Sequence, residues 1–239
     1  MSRKRHPAAK GCVPVKWQIL GNNMPALVCE LAANEKVFAD KGSMVYMSGN
    51  VELSAKARGG IMKGIARKAL TGEAFFLSEF VPQAGPGVVA FAPHLPGRII
   101  PFDLRGGKVL LGQKTAFLVA EDTVTLETAM QKKIMAGVFG GEGLIIQRYR
   151  GEGTVFLEAL GDIIEMQLQP GQKMLVDTGK AVAWEQSVTY DVQSAGGLKT
   201  MAFGGEGVFL ASLVGPGKIY LQTMSLDELR ASMLVGSGR

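Results

Sequence analysis

FGGEGLIIQRYRGEGTVFLEAL (residues 139–160) and FGGEGVFLASLVGPGKIYLQTM (residues 203–224) are nearly the same phrase, written twice in one chain of 239 residues. Gly141-Glu142-Gly143-Leu144-Ile145 matches Gly205-Glu206-Gly207-Val208-Phe209, 64 positions later. A third version stands 69 positions upstream, at Gly72-Glu73-Ala74-Phe75-Phe76. Each is followed by a glycine pair and a strand-like run: Gly85-Pro86-Gly87 before VVAFAP, Gly151-Glu152-Gly153 before TVFLEAL, Gly215-Pro216-Gly217 before KIYLQTM. The first copy carries three extra residues in its SEFVPQAGPG stretch, where a loop insertion is expected. Self-similarity at a fixed period marks a chain built from repeated supersecondary units.

The front half of the unit recurs more weakly. VFADKGSMVYMS from Val37, VLLGQKTAFLVA from Val109 and MLVDTGKAVAWE from Met174 share an apolar start, a polar turn and a second apolar run. Short runs of large and β-branched residues, with turn signals every 8–12 residues, predict antiparallel strands in sandwich or barrel units. The chain therefore divides into a basic arm (1–25), three β-modules (26–96, 97–160 and 161–224) and a C-terminal helix and tail (225–239). Ser225-Leu226-Asp227-Glu228 is the capping box that opens this helix, which is expected to end before Gly236. The fold class is all-β. Between the two halves of each module lie ARGGIMKGIARKAL, ETAMQKKIMAGV and QSAGGLKTMA, and the first two are expected to hold a short helix.

Composition removes several function classes. With 47% hydrophobic residues the chain can bury a core without metals or disulfides. Two cysteines, Cys12 and Cys29, suit a reducing compartment. No apolar stretch has the roughly 18 residues that span a bilayer, and no apolar segment of a secretory signal follows the basic start. The expected location is cytoplasmic and peripheral to a membrane. The net charge of +5 belongs to the arm: Arg3, Lys4, Arg5, Lys10 and Lys16 account for it, and the other 21 of the 26 basic residues balance the 21 acidic ones.

The catalytic and metal patterns fail in turn. His6 and His94 are the two histidines, and neither lies near a nucleophile motif. His94, in Pro93-His94-Leu95-Pro96, reads as an exposed linker residue. There is no Cys-x-x-Cys and no His-Glu-x-x-His. Glu73, Glu142 and Glu206 could meet around a threefold axis on a hard cation, but the simpler reading makes them solvated turn residues. FGGEG is no phosphate cradle, because its glutamate repels phosphate and an apolar strand follows it. The expectation is thus no catalytic residue, no metal and no cofactor. Gly72, Glu73, Gly141, Glu142, Gly205 and Glu206 are repeat-signature turns.

Two surfaces remain. Arg148-Tyr149-Arg150 interleaves stacking and phosphate-neutralising side chains in the manner of RNA binders, but the other copies lack it, and it reads as a strand edge guarded by charges. From Lys56 onward, Lys56, Arg58, Lys63, Arg67 and Lys68 alternate with apolar residues, and Ile61 and Ile65 share one face at helical spacing. The equivalent places hold Lys132 and Lys133 in the second module and Lys199 in the third. Such a segment suits docking on anionic lipid or on a partner. DNA binding is not expected, and RNA or a small ligand has no support in the sequence.

GSMVYMSGNVEL (42–53) and FGGEGVFL…GPGKIYLQT (203–223) resemble the bacterial and mitochondrial family named for altered inheritance of mitochondria, in register from about Pro25 to Ser225. The resemblance implies tandem modules like that of the tryptophan RNA-binding attenuation protein, joined so that three chains form a ring of nine. It carries no catalytic residues. It implies a non-enzymatic homotrimer, and its fungal member's association with the mitochondrial inner membrane fits a scaffold at a membrane surface. The alternative it leaves is a ring that binds a ligand or RNA.

Overall fold

The computed structural model of the chain describes residues 14–58, 75–132, 144–194 and 209–235. Seven strands come first: β1 (Lys16–Leu20), β2 (Ala26–Leu31), β3 (Val37–Ala39), β4 (Met44–Met47), β5 (Val51–Arg58), β6 (Phe75–Pro82) and β7 (Gly87–Phe91). Six follow: β8 (Gly97–Asp103), β9 (Leu110–Gln113), β10 (Phe117–Glu121), β11 (Val124–Lys132), β12 (Leu144–Gly151) and β13 (Thr154–Leu160). The last six are β14 (Ile163–Leu168), β15 (Lys173–Asp177), β16 (Ala181–Glu185), β17 (Thr189–Ser194), β18 (Phe209–Val214) and β19 (Gly217–Gln222), and helix α1 (Leu226–Val235) closes the described chain. The fold is all-β with one short helix, as the turn spacing predicts.

The strands form four antiparallel sheets. Two have six strands, in the orders β5-β6-β3-β10-β13-β8 and β11-β12-β9-β16-β19-β14. The second order is the first with every strand advanced by six. The two smaller sheets, β1-β2-β7-β4 and β15-β18-β17, contain the corresponding pieces at the two ends of the chain. Each large sheet joins strands from two successive stretches of sequence edge to edge, through β3 against β10 and through β9 against β16.

Local chemistry explains the elements. β19 alternates buried and half-buried residues along GKIYLQ, with Ile219 and Leu221 turned inward. β10 (FLVAE) is buried at every position, as a strand covered on both faces must be. A β-bulge interrupts the pairing at Met44/Tyr46, at Phe117/Val119 and at Ala181/Ala183. Single 3-10 turns at Lys114–Ala116 and Thr178–Lys180 lead into β10 and β16, and Asp177 caps the second by accepting from the Gly179 N–H at 2.7 Å. At Gly97 a Cβ would stand 1.8 Å from the Ala159 carbonyl oxygen, so only glycine lets β8 start against the end of β13.

The core is three apolar clusters, and each mixes residues from neighbouring repeats of the strand order. Phe38 of β3 and Leu77 of β6 pack with Leu110, Phe117, Ala120 and Val155. Leu111 of β9 packs with Trp184, Ile219 and Leu221. Burying a side chain such as Phe38 contributes about 2 kcal/mol, so these shared clusters bind successive stretches of chain into one body.

Several expectations are corrected. Glu127 to Lys132, part of a segment expected to hold a short helix, is the end of strand β11. Lys16 to Leu20, read as part of the basic arm, is β1, paired with β2 along its whole length, and its Trp17 meets Phe156 edge to face at 5.2 Å. The front halves of the repeat align as Val37, Leu110 and Met174, not Val37, Val109 and Met174. The interstrand register settles this: Ala39 faces Val119 as Gly112 faces Ala183. Helix α1 begins where its capping box predicts, with the Ser225 N–H donating to Glu228 Oε2 at 2.8 Å and the Glu228 N–H to Ser225 Oγ at 3.2 Å; Gly236 lies outside the described residues. The insertion in the first copy falls in the turn between β6 and β7.

Candidate functional site

Ile61, Lys63, Ile65, Arg67, Lys68, Lys133, Lys199, Gly72, Glu73, Gly141, Glu142, Gly205 and Glu206 lie outside the described residues. What the structure gives is where those segments leave and rejoin the sheets. The first connects β5 to β6, the second β11 to β12 and the third β17 to β18, each joining two strands paired along their length. Arg58 ends β5 and Lys132 ends β11. Lys56 stands earlier on β5 and forms an ion pair with Glu79 of β6, whose carboxylate is almost fully buried. The charge of Lys56 therefore serves an internal carboxylate.

The RNA-like motif dissolves on inspection. β12 is an interior strand between β11 and β9, not an edge. Tyr149 points inward, is fully buried and donates its hydroxyl to Gln147 Oε1 at 2.7 Å. Burial pushes its phenol well above the ordinary range. Arg150 pairs with Glu127 across the strands. A tyrosine sealed in a core cannot stack on a base.

His94 is not a bare linker residue. Its Nδ1 lies 2.9 Å from Glu158 Oε1, its Nε2 3.1 Å from the Lys41 carbonyl oxygen and 3.7 Å from Asp40 Oδ2. Its backbone N–H donates to Glu158 Oε2 at 2.7 Å. Both ring nitrogens face acceptors, so the ring is held as imidazolium. The hydrogen bond that the ring donates to the Glu158 carboxylate is the main cause, working against partial burial, and the pKa is pushed up to about 9. Such a ring has no lone pair to take a proton at neutral pH, and it acts as a clasp between the turn after β3 and strand β13. A second internal ion cluster ties Arg105 to Asp103 at 3.0 Å and to buried Glu121 at 2.9 Å. Cys29 is a free, buried thiol whose pKa burial raises far above the ordinary range. Among the described residues no group of three His, Cys, Asp or Glu side chains is arranged to hold a metal ion. Among them also, no helix is long and apolar enough to cross a membrane.

A cavity of about 270 Å³ opens beside the junction of β9 and β16. Ala116, Ala159, Leu160 and Val182 form its apolar wall, and Leu226, Asp227 and Arg230 of α1 border it on one side. Gln113 and Gln222 reach it with their amides already used, donating to Thr178 O at 2.6 Å and to Gly179 O at 2.8 Å. The remaining feature is a pair of sheet edges. β4 ends the first small sheet and β15 the second. Met44, Val45 and Tyr46 are 37%, 56% and 51% exposed, and Leu175 is 48% exposed.

With this geometry in view, comparison with known proteins gives the lineage. The family model for mitochondrial biogenesis AIM24 matches residues 17–224, from β1 to just before the cap of α1. The chain belongs to the AIM24 family. An uncharacterised protein of Streptococcus pyogenes serotype M6 is 31% identical over 216 residues, covering 87% of this chain and 85% of that protein. A Streptococcus pyogenes protein solved by X-ray crystallography superposes with a TM-score of 0.76 at 27% identity, over 93% of this chain and 99% of the other. The AIM24 match takes in all four sheets, so the family signature and the β-structure are coextensive. Sequence reading found the family through its glycine-punctuated repeat. It missed the His94 clasp, whose members Asp40, His94 and Glu158 meet only through strand pairing.

Proposed function

We propose that the protein is a non-enzymatic scaffold. In this reading three chains, each of three tandem modules like that of the tryptophan RNA-binding attenuation protein, form a ring docked on an anionic membrane surface from the cytoplasmic side. The observation that carries the reading is the recurrence of one strand order every six strands, with successive repeats joined edge to edge. A unit that joins its neighbour by an edge leaves an edge open at each end of the array, and copies of one chain close such arrays by symmetry. The three hairpins β5–β6, β11–β12 and β17–β18 each lead into one of the basic and apolar segments around Ile61, Lys133 and Lys199. Equivalent hairpins in a symmetric ring repeat those segments around it, and repetition turns weak electrostatic contacts into avid ones. The engaged nitrogens of His94 support the non-enzymatic part of the reading.

Two measurements test it. Native mass spectrometry of the full chain is expected to give a mass of three chains, and a monomer ends the scaffold reading. Cosedimentation with vesicles containing anionic phospholipid, against neutral vesicles, is expected to retain the protein at low salt and release it at high salt. Replacing Lys63, Arg67 and Lys68 by serine should abolish retention, and binding unchanged by that triple substitution removes the docking surface. A second reading rests on the cavity beside α1: a ring that takes a small ligand there, which native mass spectrometry would reveal as a fixed added mass per chain.

A further inference from the structure

β4 is a central strand by composition and an edge strand by position. Its sequence MVYM is apolar on both faces, like its counterparts FLVA in β10 and AVAW in β16, which the shared bulge at Met44, Phe117 and Ala181 brings into alignment. Phe117, Leu118, Val119, Ala181, Val182 and Ala183 are at most 3% exposed, against 37–56% for Met44, Val45 and Tyr46. The difference is one neighbour. β10 lies against β3 and β16 against β9, whereas among the described residues no strand pairs with the free side of β4.

β15 shows the same deficit from the other end. Its counterparts are fixed by their shared partner strand: Ala39 faces Ser78, Gly112 faces Gln147 and Val176 faces Ala211. These partners are 69 and 64 residues apart, the spacing of Glu73, Glu142 and Glu206 in the sequence repeat. Leu175 therefore corresponds to Phe38 and Leu111. Phe38 is fully buried in the cluster built around β10, and Leu111 packs into the cluster around β16. Leu175 is 48% exposed. Within the chain β15 does not meet β4.

We propose that β15 of one copy pairs antiparallel with β4 of another, in a register set by the two internal junctions. Val119 faces Ala39 and Ala183 faces Gly112, so Tyr46 faces Val176 of the next copy; Met47 then faces Leu175, and Ser48 faces Met174. The hydrogen bonds follow the same template. The Asp40 N–H donates to the Leu118 carbonyl at 2.8 Å and the Gln186 N–H to the Val109 carbonyl at 3.3 Å. Their counterparts are the Asp177 N–H to the Val45 carbonyl and the Gly49 N–H to the Lys173 carbonyl, between copies. Leu175 then enters the cluster that holds Leu118, Val119 and Phe156, beside Met47, which already packs there. The occupant of both edges is a second copy of this chain, because the two edges complement each other and lie on one molecule. This rests on the oligomeric scaffold reading and adds its contact surface.

Tyr46 and Val176 fall at a position without direct hydrogen bonds between the paired residues, where side chains approach closely. At the internal equivalent, a Cβ on Gly112 would stand 3.4 Å from the Ala183 Cβ, close to disulfide distance. The test is the full chain carrying Tyr46→Cys and Val176→Cys in a Cys12→Ser background, oxidised with copper phenanthroline and run on a non-reducing denaturing gel, beside native mass spectrometry of the unmodified protein. A covalent trimer is expected, with Tyr46→Cys/Leu175→Cys, one residue out of register, remaining uncrosslinked. A Leu175→Asp variant with an unchanged far-ultraviolet spectrum is expected to be monomeric. An unmodified trimer whose Tyr46/Val176 variant does not crosslink, or a trimeric Leu175→Asp variant, overturns the edge pairing and leaves the scaffold standing. An unmodified monomer overturns both. A covalent ladder running past three chains supports the pairing and overturns the closed trimer.

Discussion

At His94 a protonation state decides whether strands distant in sequence hold together. An ordinary histidine loses its proton near pH 6.5, and here Glu158 and the Lys41 carbonyl move that point to about 9. The folded-state pKa is raised, so the clasp contributes in full below about pH 6.5 and its contribution is lost as the pH rises through about 9. With the ring 36% exposed, solvent screening limits the contribution to about 1 kcal/mol. Urea unfolding should show the wild type more stable than His94→Gln by that amount at pH 6 and equal to it at pH 10; a difference constant over that range would remove the imidazolium from the account. Arg105 presents a deeper case. Glu121 is buried, and burial holds its carboxyl above the usual range despite the guanidinium beside it. Arg105→Met strands that charge and should cost about 3 kcal/mol at neutral pH, and less as the pH falls and the carboxylate takes up a proton; a cost independent of pH would mean the ion pair is not the cause. Neither contact is legible in the sequence, since each joins strands that only the fold brings together. The burial of Tyr149 has a partial sequence signal: in a strand, an exposed Arg150 puts its neighbour on the other face, but the half-buried Arg148 blurs the alternation.

At the scale of elements the partner strands at Ser78, Gln147 and Ala211 keep the spacing of Glu73, Glu142 and Glu206, whereas the front halves align one residue from where the sequence puts them. The segments around Glu142 and Glu206 carry glycines that fix the phase in the sequence. The runs AFLVA and KAVAW are apolar on both faces, so sliding one by a residue leaves the pattern unchanged, and a bulge adds an offset that no apolar pattern records. The same lack of alternation leaves nothing in MVYM to mark it as an edge strand. Turn chemistry is stricter, as Gly97 shows. Gly97→Ala drives a methyl into the Ala159 carbonyl, and β8 must shift away from β13, with an expected loss of about 3 kcal/mol measured as a lowered urea midpoint; a loss under 1 kcal/mol would mean that this sheet margin gives way easily. Ser225→Ala removes one half of the capping box of α1 and should cost about 1 kcal/mol locally. Faster amide exchange confined to residues 226–235 is the expected sign, and faster exchange across β19 as well would show that the helix supports the sheet.

For the molecule as a whole, the clusters that bind one stretch of chain to the next run through the interior and stop unfinished at its two ends. Phe38 completes one cluster and Leu111 another, and Leu175 has the same position but is half exposed among the described residues. An array that gains stability at every junction is least stable where a junction is missing, so association should be linked to folding by mass action. Unfolding of the proposed trimer as one unit makes the stability per chain rise with protein concentration. The expected gain is roughly 1 kcal/mol per chain for each tenfold increase, two thirds of the 1.4 kcal/mol that a factor of ten represents. Urea unfolding at about 0.5, 5 and 50 μM, roughly a hundredfold span, should give midpoints that climb with concentration in the wild type and coincide in Leu175→Asp. Coincident midpoints in the wild type would mean that the copies fold first and meet afterwards, with the open edges of β4 and β15 adding nothing to the stability of the fold.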